Sequence, residues 1–111
     1  MLQNNIPKTN LSGASYENLE YTMEVPVGAT NLKFTINSGS GDADLFVKHA
    51  NKPTSSSYDC RPYISGNNES CSLSNVSGTY YIMINGYAEF CGLTLTDSYN
   101  QTTIRLYDYK R

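Results

Sequence analysis

The chain has 111 residues, a formal charge of −2, ten tyrosines and no tryptophan. That length builds one domain and is too short for two, with roughly two-thirds of the unfolded surface buried on folding. Its eight Lys and Arg residues are scattered from Lys8 to Arg111, which excludes the basic stripe of a nucleic-acid binder, and no apolar run is long enough to cross a membrane or form a signal-peptide core. A start at Met1 without such a core fits a cytosolic chain or, the favoured reading, a piece excised from a larger secreted precursor.

Abundant Ser, Thr, Asn and Gly beside the tyrosines predict a polar-surfaced all-β domain, and no stretch carries a helical period. In chain order, Leu2 to Ile6 predicts a short edge strand ended by Pro7, followed by a polar turn through Asn10 to Gly13. Leu19, Tyr21, Met23 and Val25 alternate with Glu20, Thr22 and Glu24, the period of two that marks a half-buried antiparallel strand. Leu32, Phe34 and Ile36 repeat the pattern, and the short connection PVGAT predicts that these two strands form a meander. After the glycine turn Ser38 to Gly41, Leu45 and Val47 share one strand face and Asp44, Phe46 and Lys48 the other, with the aliphatics inward.

Tyr58 to Tyr63 and Glu69 to Leu73 read as two arms of a hairpin around Gly66-Asn67-Asn68. Cys60 and Cys71 bracket it. The favoured reading is a disulfide, which for a loop of this size stabilises by about 2 to 3 kcal/mol; two reduced core thiols are the alternative. Cys91 is left as a lone thiol packed beside the last core strands, with an intermolecular bridge as the rival reading. In the strand Thr79 to Asn85, Tyr80, Ile82 and Ile84 form the inward set, and Tyr81, Met83 and then Tyr87 face outward. Gly92 to Thr96 and Thr102 to Tyr107 complete the expected elements. Seven to nine short strands with turn signals between them predict an antiparallel β-sandwich, jelly-roll-like, over residues 1–96. Residues 97–111 are expected to be an extension: a terminal strand, a linker or an appended sequence.

The segments LQNNIPKTNLSGA, EYTMEVPVGATNLKFTI, SGSGDADLFVKHANKPTSSSYDCRPYISGNNESC and SGTYYIMINGY, in that order and spacing, resemble the bacterial pre-peptidase C-terminal domain. That β-sandwich module is appended to secreted metallo- and serine proteases and is related to the collagen-binding domains of bacterial collagenases. The GDADLFV strand and the cysteine-bracketed segment carry most of the likeness. Tyr16 departs from it, standing where a glycine is often found, and so does Cys91, where a small or polar residue is commoner. The resemblance implies a non-catalytic accessory domain of a secreted, extracellular bacterial protease, with a catalytic protease domain in the same precursor. It also implies either binding of an insoluble polymer such as collagen or chitin, or a secretion and maturation role with no ligand.

Asp42 and Asp44 on a glycine turn invite calcium, but two carboxylates are far short of the about six to eight oxygens that ion takes. The favoured reading is that Asp44 holds the turn by accepting backbone N–H bonds. The acidic cluster that carries calcium in collagen-binding relatives has no match. His49 with Asp44 and a serine does not make a hydrolase site, since no G-x-S-x-G motif occurs, and the histidine is expected to be exposed at a strand end. Outward tyrosines are the better binding candidates: Tyr81, Met83 and Tyr87, with Tyr58 and Tyr63 of the hairpin. The competing reading packs them against Phe46 in a second layer.

Overall fold

The computed structural model describes residues 1–62, 64–73 and 77–101. These contain seven strands: β1 (Lys8–Gly13), β2 (Asn18–Val25), β3 (Ala29–Asn37), β4 (Ala43–His49), β5 (Glu69–Leu73), β6 (Gly78–Gly86) and β7 (Phe90–Gln101). They form two antiparallel sheets, ordered β1-β7-β3-β5 and β2-β6-β4. All six connections between successive described strands pass from one sheet to the other, as in a jelly-roll-like sandwich.

The alternating residues meet between the sheets. Met23, Val25, Leu45, Val47, Tyr80, Ile82 and Ile84 from the three-stranded sheet pack on Leu32, Phe34, Ile36, Leu93 and Leu95 from the four-stranded one, all buried. Phe34 and Tyr80 bridge the layers with ring centroids 6.2 Å apart. Each large side chain buried this way contributes about 2 kcal/mol. The Ser38 to Gly41 turn needs its glycines: Gly39 (φ 72°) and Gly41 (φ 102°) lie in the left-handed region, and a Cβ on either would fall 2.0 Å from a carbonyl of the β6–β7 segment.

Several local expectations are corrected by the pairing. Leu2 to Ile6 is not a strand; Leu2 is buried, its N–H donates to Thr22 of β2 at 2.6 Å, and Asn4 and Asn5 bond to Tyr99 and Asp97 of β7, so the segment straps both sheets together. The expected turn that follows is instead β1, an edge strand with irregular register on β7. β2 and β3 do not form a meander, because PVGAT carries the chain across the sandwich. Nor do Tyr58 and its neighbours pair with Glu69 to Leu73 as a hairpin. Cys60 bridges to Val47 on the edge of β4, and β5 pairs with β3. The Cys60–Cys71 disulfide is present, and it joins the edges of the two sheets rather than two arms of one ribbon.

β7 continues past Thr96 to Gln101, which lies opposite Ala29. Asp97, opposite Phe34, faces the interior and is fully buried. Burial pushes its carboxyl up to about 6, although its own backbone N–H and Lys8 act the other way. The strand expected at Thr102 to Tyr107 lies outside the described residues.

Candidate functional site

The outer face of the β2-β6-β4 sheet carries three cross-strand rows: Asn18–Asn85–Asp44, Glu20–Met83–Phe46 and Thr22–Tyr81–Lys48. Phe46 and Met83 are apolar on a face that would otherwise meet water, and the loop after β4 covers them. Pro53 of that loop is buried. Tyr58 stands edge-on to Phe46 at 5.8 Å, the Arg61 guanidinium lies over the same ring at 4.6 Å, and Lys48 donates to the Ser57 hydroxyl. Lys52 pairs with Glu20 at 3.3 Å.

Met83 therefore faces outward yet is buried, because the loop forms a third layer that periodicity along β6 does not reveal. Tyr81, on the uncovered side, is half-buried and lines a groove of about 280 Å3 with Tyr21, Pro53, Lys52 and Met83. Tyr58 is partly exposed and is not among the residues that line this groove, and Tyr63 lies outside the described residues. Tyr87 is 65% exposed but sits about 20 Å further along the strand from Tyr81, at the end of the sandwich. The fold thus brings Tyr81 and Met83 to one groove and leaves Tyr87 elsewhere.

The aspartates have different roles from those expected. The turn before β4 is held by Asn67, whose Oδ1 accepts the Ala43 N–H at 2.9 Å and whose Nδ2 donates to Ser38 and Ser40 carbonyls at 2.9 and 3.1 Å. Asp44 instead is buried and pairs with Arg61 at 3.4 Å. Beside it is Glu69, 2% exposed, which accepts the Leu45 N–H across the sheets at 2.8 Å. Burial raises the Glu69 carboxyl to about 7, the Leu45 N–H lowers it, and the neighbouring Asp44 raises it further.

Among the described residues no group of three or more His, Cys, Asp or Glu is arranged to hold a metal ion, and a guanidinium already occupies the Asp44 carboxylate. Asp42 and Asp44 line one cavity together with Arg61. His49 is half-buried rather than exposed, with its ring 4.7 Å from that of Tyr80 and Nε2 3.0 Å from the Ser77 carbonyl. Cys91 is a free, exposed thiol beside the Ser40 hydroxyl at 3.4 Å, not a packed one.

Asn67 and Glu69 escaped the sequence reading, although the alternation Glu69, Cys71 already set a carboxylate on the face of a buried cysteine. Tyr16 escaped it as a surface residue. The signal was a bulky residue where the chain turns.

The profile of the bacterial pre-peptidase C-terminal domain matches residues 18–86, from the first residue of β2 to the last of β6. The chain belongs to the bacterial pre-peptidase C-terminal domain family. This pre-peptidase C-terminal domain is 47% identical over 96 residues to a virulence metalloprotease of Vibrio anguillarum, covering 86% of this chain and 16% of that protein. It is 48% identical over 98 residues to an extracellular protease of Xanthomonas campestris, covering 88% and 17%. A solved solution structure described as vEP C-ter 100 superposes with a TM-score of 0.73 at 47% identity, covering 91% of this chain and 97% of that one. The chain thus spans about a sixth of the length of these two relatives. Among the described residues it carries no catalytic constellation of its own.

Proposed function

We propose that this pre-peptidase C-terminal domain is the accessory domain of a secreted bacterial protease and holds insoluble polymeric substrate, collagen-like protein or polysaccharide, near the catalytic domain of the same precursor. The strands through Gln101 form the holding unit. Tyr81 is the main contact and Met83 the floor of the groove, with Tyr58, Tyr63 and the separate Tyr87 as secondary contacts along an extended polymer. A rigid sheet presents such rings at low entropic cost. Tethering then acts through effective concentration: a weak site on a linked domain keeps the enzyme at its polymer and leaves the chemical barrier unchanged.

The observation that carries the reading is the Tyr81 groove, kept open on a face that the loop otherwise covers. Extracellular residence is supported by the disulfide, which persists in oxidising compartments, and by the relative named an extracellular protease. The test is retention of the domain on insoluble collagen and on chitin. Wild type is expected to be retained, and Tyr81→Ala to be released by gentler washing. No retention on either polymer would sink polymer holding and leave a secretion and maturation role.

A further inference from the structure

The Tyr81 groove does not stop where the covering loop meets it. Lys52 belongs to that loop, on the β4 side, and Glu20 to β2, on the other side of β6, so their ion pair at 3.3 Å spans the central strand at its Met83 position. A second cavity, of about 460 Å3, lies beyond the pair. It shares Glu20, Lys52, Pro53 and Met83 with the Tyr81 groove and continues to Asn18, Asn85, Thr54 and Ser55. The two cavities are the halves of one trough along β6, and the ion pair is a crossbar between them. From Tyr81 to Asn85 the trough runs about 13 Å at the rise of a strand.

The crossbar is easily moved. Its side chains are 69% and 51% exposed, and an exposed ion pair holds its geometry only weakly. The groups on either side of it carry no charge in need of a partner: Thr22 and Tyr81 line one half, the amides and hydroxyls of the far residues line the other, and Arg61, which also borders the far half, is paired with Asp44. Asn85 Nδ2 donates to Asn18 Oδ1 at 2.6 Å, so the other ends of these two amides offer an acceptor and a donor side by side.

We propose that one extended strand of a neutral polysaccharide lies along the whole trough, its rings on Tyr81 and Met83 and its hydroxyls on the amides of Asn18 and Asn85, after displacing the Lys52–Glu20 crossbar. The inference rests on the polymer-holding reading of the Tyr81 groove and names its substrate class. β6 is paired to β2 on one side and β4 on the other, so a peptide strand could not add to the sheet here and would meet side chains alone. A collagen triple helix brings three chains to cavities whose volume, spread over this length, suits one. Sugar hydroxyls rotate to donate or accept, which matches a lining of amides and hydroxyls, and a sugar ring has an apolar face for the tyrosine.

The test is the dissociation constant of the domain on powdered chitin, cellulose and insoluble collagen, read by depletion from solution. Chitin or cellulose is expected to retain wild type, and Tyr81→Ala and Asn85→Ala should each weaken that retention. Glu20→Gln and Lys52→Met should instead tighten it about two- to five-fold, because neither leaves an ion pair to displace, and the double variant should bind no tighter than the better single one. Wild-type binding should also strengthen as salt rises and screens the pair, while the two variants stay unchanged. A gain in binding cannot come from a folding defect. Retention left unchanged or weakened by both Glu20→Gln and Lys52→Met would overturn the crossbar, and loss with Tyr81→Ala but not with Asn85→Ala would overturn the joined trough. Retention on collagen alone would overturn the polysaccharide strand and leave polymer holding in place; no retention on any of the three would overturn both.

Discussion

The outer faces of the two sheets were built by the same pleat and ended differently. On the four-stranded sheet, β3 and its neighbours carry Ser72–Lys33–Ser98 and Ser70–Thr35–Thr96, polar side chains that are exposed or half-buried and meet water without a covering layer. On the three-stranded sheet, β4 is buried at five successive positions from Ala43 to Val47. A strand apolar on both faces needs a layer on each side. The sandwich supplies one and the loop after β4 the other, anchored by Arg61 on Phe46 and by Cys60. One face is therefore finished by solvent and the other by chain, and the groove at Tyr81 is the part of the second face that the loop leaves open.

The sharpest way to break this contrast is Phe46→Ala. If the loop is a true third layer, the substitution leaves a cavity in packed surroundings and should cost about 3 kcal/mol or more in a denaturant melt. A loss below about 1 kcal/mol would mean that the loop is only a loose cover. Next in size is the pH dependence of the junction beneath it. Glu69 has its folded pKa raised from 4.5 to about 7, so the folded state binds that proton more tightly than the unfolded chain does. Its stabilising contribution is complete below pH 4.5 and is lost as pH rises through about 7.

Asp97, raised from 3.8 to about 6, acts in the same direction over a lower window. Thermal unfolding should accordingly occur at a lower temperature at pH 8 than at pH 5, and Glu69→Gln should flatten much of that slope. A slope unchanged by Glu69→Gln would remove Glu69 as its source. The smallest effect belongs to the solvent-finished face: Thr35→Ala should change stability by no more than about 0.5 kcal/mol. A larger loss there would erase the difference between the faces.

Much of this was legible in the sequence, for reasons that can be named. Period-two alternation placed β2, β3 and β6 and identified Phe34, Ile82 and Ile84 as core, because side-chain direction along a strand is a local property. The spacing of Cys60 and Cys71 in a polar segment gave the disulfide. Partnership was less legible. The same short connections that suggested a meander and a hairpin cross between sheets, since chain direction at a turn depends on which remote edge offers hydrogen bonds.

For the candidate site, Tyr87 was recognisable as exposed because it follows a strand end. Met83 was not recognisable as covered, because its cover comes from Pro53 and the residues around it, some thirty positions away in the chain. The turn-holding role expected of Asp44 belongs to Asn67, whose side chain reaches from the far side of the loop.

The sequence by itself determined the all-β class, the faces of the strands, the cysteine bridge and the likeness to the pre-peptidase C-terminal family, all set by residues close together in the chain or by ordered motifs. Only the tertiary structure decided which strands pair, which outer face is covered, how Asp44, Arg61 and Glu69 meet, and that Lys52 reaches Glu20 across β6. Those outcomes depend on contacts between distant segments, where closing the sandwich, rather than the period of any one strand, sets what lies next to what.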